Sequence, residues 1–171
     1  MDTEGRNQSG RLTLGSALAP RCSACAEVAG DVQAPGGVIV DDGLWYVSHH
    51  TGPFTDPGEL IVKTRRHCES LAELTPAEAD ALGPVLRAGI RALERVVVAE
   101  RIYAVSFNER MRHVHFLLLP RTASMPPGHV SSDLYRRARN LLRKVGVLRN
   151  PTAEARAEAA ARVRQAWAKP I

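Results

Sequence analysis

The chain has 171 residues, enough for one compact domain with a real core and some terminal additions. Hydrophobic residues make up 44 %, which excludes a globally disordered chain, and no apolar run approaches the ~20 residues of a membrane-spanning helix. A net charge of +5 suits a small anionic ligand such as a nucleotide as well as it suits nucleic acid.

Residues 1–20 read as a polar, flexible leader without periodicity. The leader lacks the basic-then-apolar order of a secretory signal, so a cytoplasmic protein is expected. Next come Cys22-Ser23-Ala24-Cys25, a spacing that suits a metal site, a redox pair or two free thiols. The third cysteine, Cys68, makes the count odd, which argues against a disulfide framework, and it reads as a small buried apolar residue.

Val38–Val40 and Leu44–Val47 read as strands around the turn chemistry of Asp41-Asp42-Gly43. A loop from His49 to Gly58 leads to a third strand, Leu60–Lys63. Thr75, Pro76 and Glu78 form a capping box with proline at the first helical position. From there Leu82, Val85, Leu86, Ile90, Leu93 and Val97 make one apolar stripe, with Pro84 expected to kink the helix. Arg101–Phe107 and Arg112–Leu119 read as a hairpin around Asn108-Glu109-Arg110, closed by Pro120. A turn at Pro126-Pro127-Gly128 precedes a helix over about 131–145, and Asn150-Pro151 opens another to about Ala168. The late basic run, including Arg136, Arg137, Arg139 and Arg143, reads as a solvated helix face, so nucleic acid is not the expected partner. The element order implies an α+β fold: an antiparallel sheet of about five strands, one long helix and C-terminal helices.

Alternation along a strand puts His113, His115, Leu117 and Leu119 on one face and Val114, Phe116 and Leu118 on the other. Two imidazoles on one rigid face can serve one site as ligands, bases or nucleophiles. The segment His113-Val114-His115-Phe116-Leu117-Leu118-Leu119-Pro120-Arg121 closely resembles the signature of the histidine-triad family. Pro57 to His67, the lead-in from Glu69 to Glu78, and the upstream Cys-x-x-Cys resemble further parts of the family's zinc-containing branch, in the same order. The resemblance spans roughly Cys22 to Arg121 and divides the chain into the leader 1–20, a histidine-triad-like domain 21–125 and a helical extension 126–171.

The resemblance implies a structural Zn²⁺ held by Cys22, Cys25, His67 and His113, with His49 and His50 as competing ligands. It implies His115 as the catalytic residue, attacking the α-phosphate of a dinucleoside polyphosphate or nucleoside phosphoramidate to give a nucleotidyl-histidine. Asn108, Arg110 and Arg112 are the candidate substrate contacts, and a homodimer is the implied assembly. The sequence departs from the family at the third histidine, which is Leu117. Leucine can neither bind phosphate nor protonate a leaving group, so a catalytically weak nucleotide-binding protein of the same fold is the alternative.

Overall fold

The computed structural model describes residues 22–107, 111–125 and 133–167. The expected leader, the turns at Asn108–Arg110 and Pro126–Gly128, and the end at Ala168 lie outside them. No helix among the described residues is long and apolar enough to cross a membrane.

Five antiparallel strands form one sheet: β1 (Val38–Asp41), β2 (Trp45–His49), β3 (Leu60–Thr64), β4 (Arg101–Val105) and β5 (His115–Arg121). Their order is β1-β2-β3-β5-β4, so β5 lies between β3 and β4. Among the described residues four helices accompany them: α1 (Ser23–Val28), α2 (Pro76–Glu94), α3 (Asp133–Lys144) and α4 (Ala153–Trp167). The α+β architecture read from the sequence is the one observed; α1 and a 3₁₀ turn at Leu71–Glu73 are additional.

α2 begins as its capping box dictates. Thr75 accepts from the Glu78 N–H, and the Glu78 carboxylate accepts from the Thr75 N–H at 2.8 Å. Arg66 adds two bonds to the same carboxylate, and these hold the Glu78 acid below its ordinary range. Pro84 lies inside α2 without ending it. Its position is exposed, so water can satisfy the carbonyl that lost its donor.

α2 and α4 cover one face of the sheet. Trp45, Val47, Leu60, Val62, Val114 and Leu118 point into this core, joined by Leu93 from α2 and Ala160 and Val163 from α4. α2 approaches closely because position 89 is glycine: a Cβ there would lie 2.6 Å from Leu118 Cδ1.

Two expected strand limits shift. β5 starts at His115 rather than Arg112, because the Val114 N–H bonds the Cys68 carbonyl instead of continuing a two-sided ladder. Pro120 does not end β5, which runs on to Arg121. The Val114 carbonyl accepts from β3, whereas the Arg121 carbonyl accepts from Glu100, so even-numbered residues of β5 face β3. β3 pairing stops at Leu60↔Leu118, and the missing Pro120 donor therefore faces a side with no remaining ladder.

Candidate metal centre and active site

The second face of the sheet carries alternate residues of the same strands. Tyr46, Lys63 and His115 lie in one cross-strand row, and Ser48, Ile61 and Leu117 lie in the next. Tyr46, Ser48, Ile61, Lys63 and His115 are buried, although several are polar.

At the edge of this face, α1 brings Cys22 and Cys25 to His67 and His113. The four candidate ligand atoms lie within 4.8 Å of one another. Cys22 Sγ is 3.4 Å from His113 Nδ1, Cys25 Sγ is 3.3 Å from His67 Nδ1, and Cys25 Sγ is 3.6 Å from His113 Nδ1. Zinc bonds of ordinary length at a tetrahedral angle separate sulfur from nitrogen by roughly 3.5 Å, so the donor set fits that ion. His113 Nε2–H donates to the Thr64 carbonyl at 2.8 Å, which leaves Nδ1 free to ligate. The Glu69 carboxylate stands 3.8 Å from His67 Nε2. Burial and the neighbouring Cys22 push the Cys25 thiol up to about 11, so without a cation it stays protonated near neutral pH. His49 and His50 stand outside the cluster. His49 is spoken for: Nδ1–H donates to the His50 carbonyl at 3.0 Å and Nε2 accepts from the Gly58 N–H at 3.2 Å.

His115 differs from His113 in how it is held. Its Nδ1 lies 2.7 Å from the His113 carbonyl, an acceptor only, so Nδ1 carries the proton and Nε2 carries the lone pair. Burial, with help from the Lys63 charge, holds its pKa below the ordinary value, so the ring is neutral at pH 7. A neutral imidazole with one nitrogen pinned and the other free is a competent nucleophile.

Lys63, opposite His115, is one residue whose setting the sequence did not disclose. Its ammonium is 2.7 Å from Glu27 of α1, with side chains 1 % and 4 % exposed. The ammonium also lies over the Tyr46 ring, 4.9 Å from its centroid. Burial pulls the lysine pKa down, and the Glu27 bond opposes that shift. The pair fastens α1, and with it both cysteines, to β3.

Of the candidate substrate contacts, only Arg112 falls within the described residues. Asn108 and Arg110 lie outside the described residues. The Arg112 side chain is 79 % exposed, with its guanidinium 3.8 Å from Glu69. Leu117 is half-buried between Ile61 and Val105 and offers the face no polar atom. Far along the chain, the arginines of α3 do not form a purely solvated face: Arg139 and Arg143 bind Asp56 at 2.7 and 2.5 Å.

No family model matches the chain, and no curated protein matches it. Solved structures do. A hypothetical histidine triad nucleotide-binding protein from Sulfolobus tokodaii strain 7 aligns with a TM-score of 0.64 at 14 % identity, covering 85 % of this chain and 91 % of that one. A zinc-bound histidine triad family protein from Mycobacterium smegmatis gives 0.59 at 23 % identity, covering 86 % and 94 %. A HIT family hydrolase from Clostridium thermocellum gives 0.50 at 16 %, covering 63 % and 96 %. The fold is thus that of the histidine-triad proteins, as the signature segment implied.

Proposed function

We propose that this chain is a zinc-stabilised histidine-triad protein that acts on the α-phosphate of a substituted nucleotide, with His115 as nucleophile. The observation that carries the reading is the state of His115, neutral, with Nδ1–H tied to the His113 carbonyl and Nε2 available. The name of the Sulfolobus neighbour supports a nucleotide ligand, and that of the Clostridium neighbour supports hydrolysis.

The lone pair of His115 Nε2 attacks phosphorus. The N–P bond forms as the bond to the leaving group breaks, and the electron pair departs with that group. Water then attacks the same phosphorus, the N–P bond breaks, and its pair returns to Nε2 while a water proton is released. Lys63, in register with His115, adds positive charge beside the phosphoryl oxygens, tempered by Glu27. Zn²⁺ at Cys22, Cys25, His67 and His113 would be a closed four-ligand centre supplying structural linkage, not an activated water. The zinc-bound Mycobacterium neighbour supports this assignment. Dinucleoside polyphosphates and nucleoside phosphoramidates are the substrate class, and a cytoplasmic homodimer is the assembly that accompanies the reading. A second reading, a nucleotide-binding protein with little turnover, draws on Leu117.

Incubating the pure protein with adenosine phosphoramidate and diadenosine polyphosphates, beside His115→Ala, tests both. The expected outcome is AMP release by the parent, reduced by about 10³-fold or more in the variant. Equal turnover by the two proteins removes His115 as nucleophile, and binding without turnover selects the second reading. Metal analysis of Cys25→Ser and His67→Ala is expected to show lost zinc; undiminished zinc in both means other ligands hold it.

A further inference from the structure

α3 sits on the body of the protein with its chemistry reversed. Arg139 and Arg143, one turn apart, face inward, with side chains 16 % and 10 % exposed. They bind Asp56 at 2.7 and 2.5 Å, and Arg143 also donates to the Phe54 carbonyl at 2.6 Å. The opposite side of the helix carries Ala138, Leu141, Leu142 and Val145, all exposed, with Leu141 at 58 % and Val145 at 61 %. An amphipathic helix on a protein surface ordinarily buries its apolar side and leaves its arginines in water. Here the ion pairs with Asp56 hold it the other way round.

The end of the helix extends the apolar patch. Gly146, at φ +79°, takes the left-handed conformation that lets the chain turn back. The N–H groups of Val147 and Leu148 then both bond the Leu142 carbonyl, at 2.9 and 3.1 Å. Val147 and Leu148, also exposed, are thereby returned to the level of Leu142. Among the described residues, half of the large exposed hydrophobic side chains lie within residues 141–148. They are clustered rather than scattered, and such a cluster marks a contact surface.

Charge identifies what covers it. From Leu134 to Arg149 the sequence contains no acidic residue. Arg137 and Lys144, about two turns apart along one border of the apolar stripe, are exposed, as is Arg149 beyond the turn. A second copy docking through this face would bring these cations against their own images, with no carboxylate between them. RNA would meet the cations but leave the leucines and valines in water. An anionic bilayer surface offers both halves at once, headgroups for the cations and acyl chains for the apolar side chains.

We propose that the C-terminal tip of α3, Leu141 to Leu148, is a peripheral anchor for an anionic phospholipid surface. Leu141, Leu142, Val145 and Val147 enter the boundary between headgroups and acyl chains, while Arg137, Lys144 and Arg149 lie against the headgroups. The chain rests on the bilayer through this tip, and no helix among the described residues crosses it. Asp56 is a positioning residue: by pairing with Arg139 and Arg143 it keeps the apolar side of α3 outward.

Sedimentation of the full chain with vesicles tests this, using phosphatidylcholine alone and phosphatidylcholine with about 30 % phosphatidylserine. Binding to the anionic vesicles is expected to exceed binding to the neutral ones by about tenfold, and to fall by about tenfold between about 0.1 and about 0.5 M NaCl. Leu141→Ser with Val145→Ser should lower binding by about tenfold or more without shifting the thermal midpoint, because both side chains are exposed. Lys144→Glu with Arg149→Glu should lower it by a similar factor. Leu142→Trp should add blue-shifted emission on anionic vesicles, quenched by brominated acyl chains, over the background of Trp45 and Trp167. No binding to anionic vesicles, binding that the serine pair leaves unchanged, or unshifted emission from bound Leu142→Trp overturns the proposal. Without vesicle binding, a dimer dissociated by the serine pair assigns the tip to self-association, and RNA binding lost only in the glutamate pair assigns it to nucleic acid. Either result overturns the proposal as well.

Discussion

The two faces of the sheet are made from the same strands and are both buried, but they bury different chemistry. Under α2 and α4, Trp45, Val47, Val62, Val114 and Leu118 are apolar and close-packed. On the other face Lys63 and His115 are removed from water at a cost that only pairing and hydrogen bonds offset, and the buried Ser48 Oγ has no partner among the described residues. The core face is free to be optimised for stability. The second face spends stability to hold charges and imidazoles in fixed states, which is why the proposed function is placed there.

The comparison is broken most forcefully at Lys63. Lys63→Met leaves the buried Glu27 carboxylate unpaired and should cost about 3–5 kcal/mol in urea denaturation at fixed zinc. Lys63→Met with Glu27→Leu should recover most of that loss, since the penalty belongs to the orphaned charge. A double variant as unstable as the single one would mean the ion pair itself holds α1. On the core face, Leu118→Ala should cost about 3 kcal/mol by leaving a cavity under Gly89, while turnover per folded molecule stays unchanged.

The titratable groups sharpen the contrast through opposite signs. His50 has a folded pKa, about 4, below the ordinary 6.5. Its contribution is fully present above that ordinary value and is lost as pH falls toward 4. Glu59 is raised to about 7 by burial, so its contribution is fully present at pH below its ordinary value of 4.5 and is lost as pH rises through 7. Between those limits the stability difference, parent minus variant, should increase with pH for His50→Phe and decrease with pH for Glu59→Gln. Parallel slopes would mean the two environments are misread. The smallest effect is expected at Leu117. Leu117→Gln, which adds a polar atom to the half-buried row between Ile61 and Val105, should change kcat by less than about threefold. A large gain would mean that the leucine limits turnover.

Much of this was legible in the sequence because it depends on local spacing. The Thr75–Glu78 box announces α2, and the alternation after His113 separates the apolar Val114 and Leu118 from His115. The clustering of Cys22, Cys25, His67 and His113 came from the family resemblance, since nothing in a spacing of 42 residues between Cys25 and His67 predicts contact. What stayed hidden depends on through-space pairing. α1 has six residues, too few to show a period, so the Glu27 bond to Lys63 left no trace. The orientation of His50 depends on the absence of a Cβ at Gly52, which reads in sequence only as loop composition. The α3 arginines looked solvated because Asp56, their partner, lies in a distant loop.

Pro120 bears on how the chain finds a single pairing. A slip of β3 by two residues along β5 would keep every side chain on its present face, so the hydrophobic pattern alone does not forbid it. It would, however, move Leu60 from Leu118 to Pro120, where its carbonyl would meet a ring instead of an N–H. It would also carry Lys63 from His115 to Leu117. A residue that would otherwise be read as a strand terminator thus penalises the slip toward the end of β5, one of the two two-residue misalignments that burial tolerates, and so favours the partnership of Lys63 with His115.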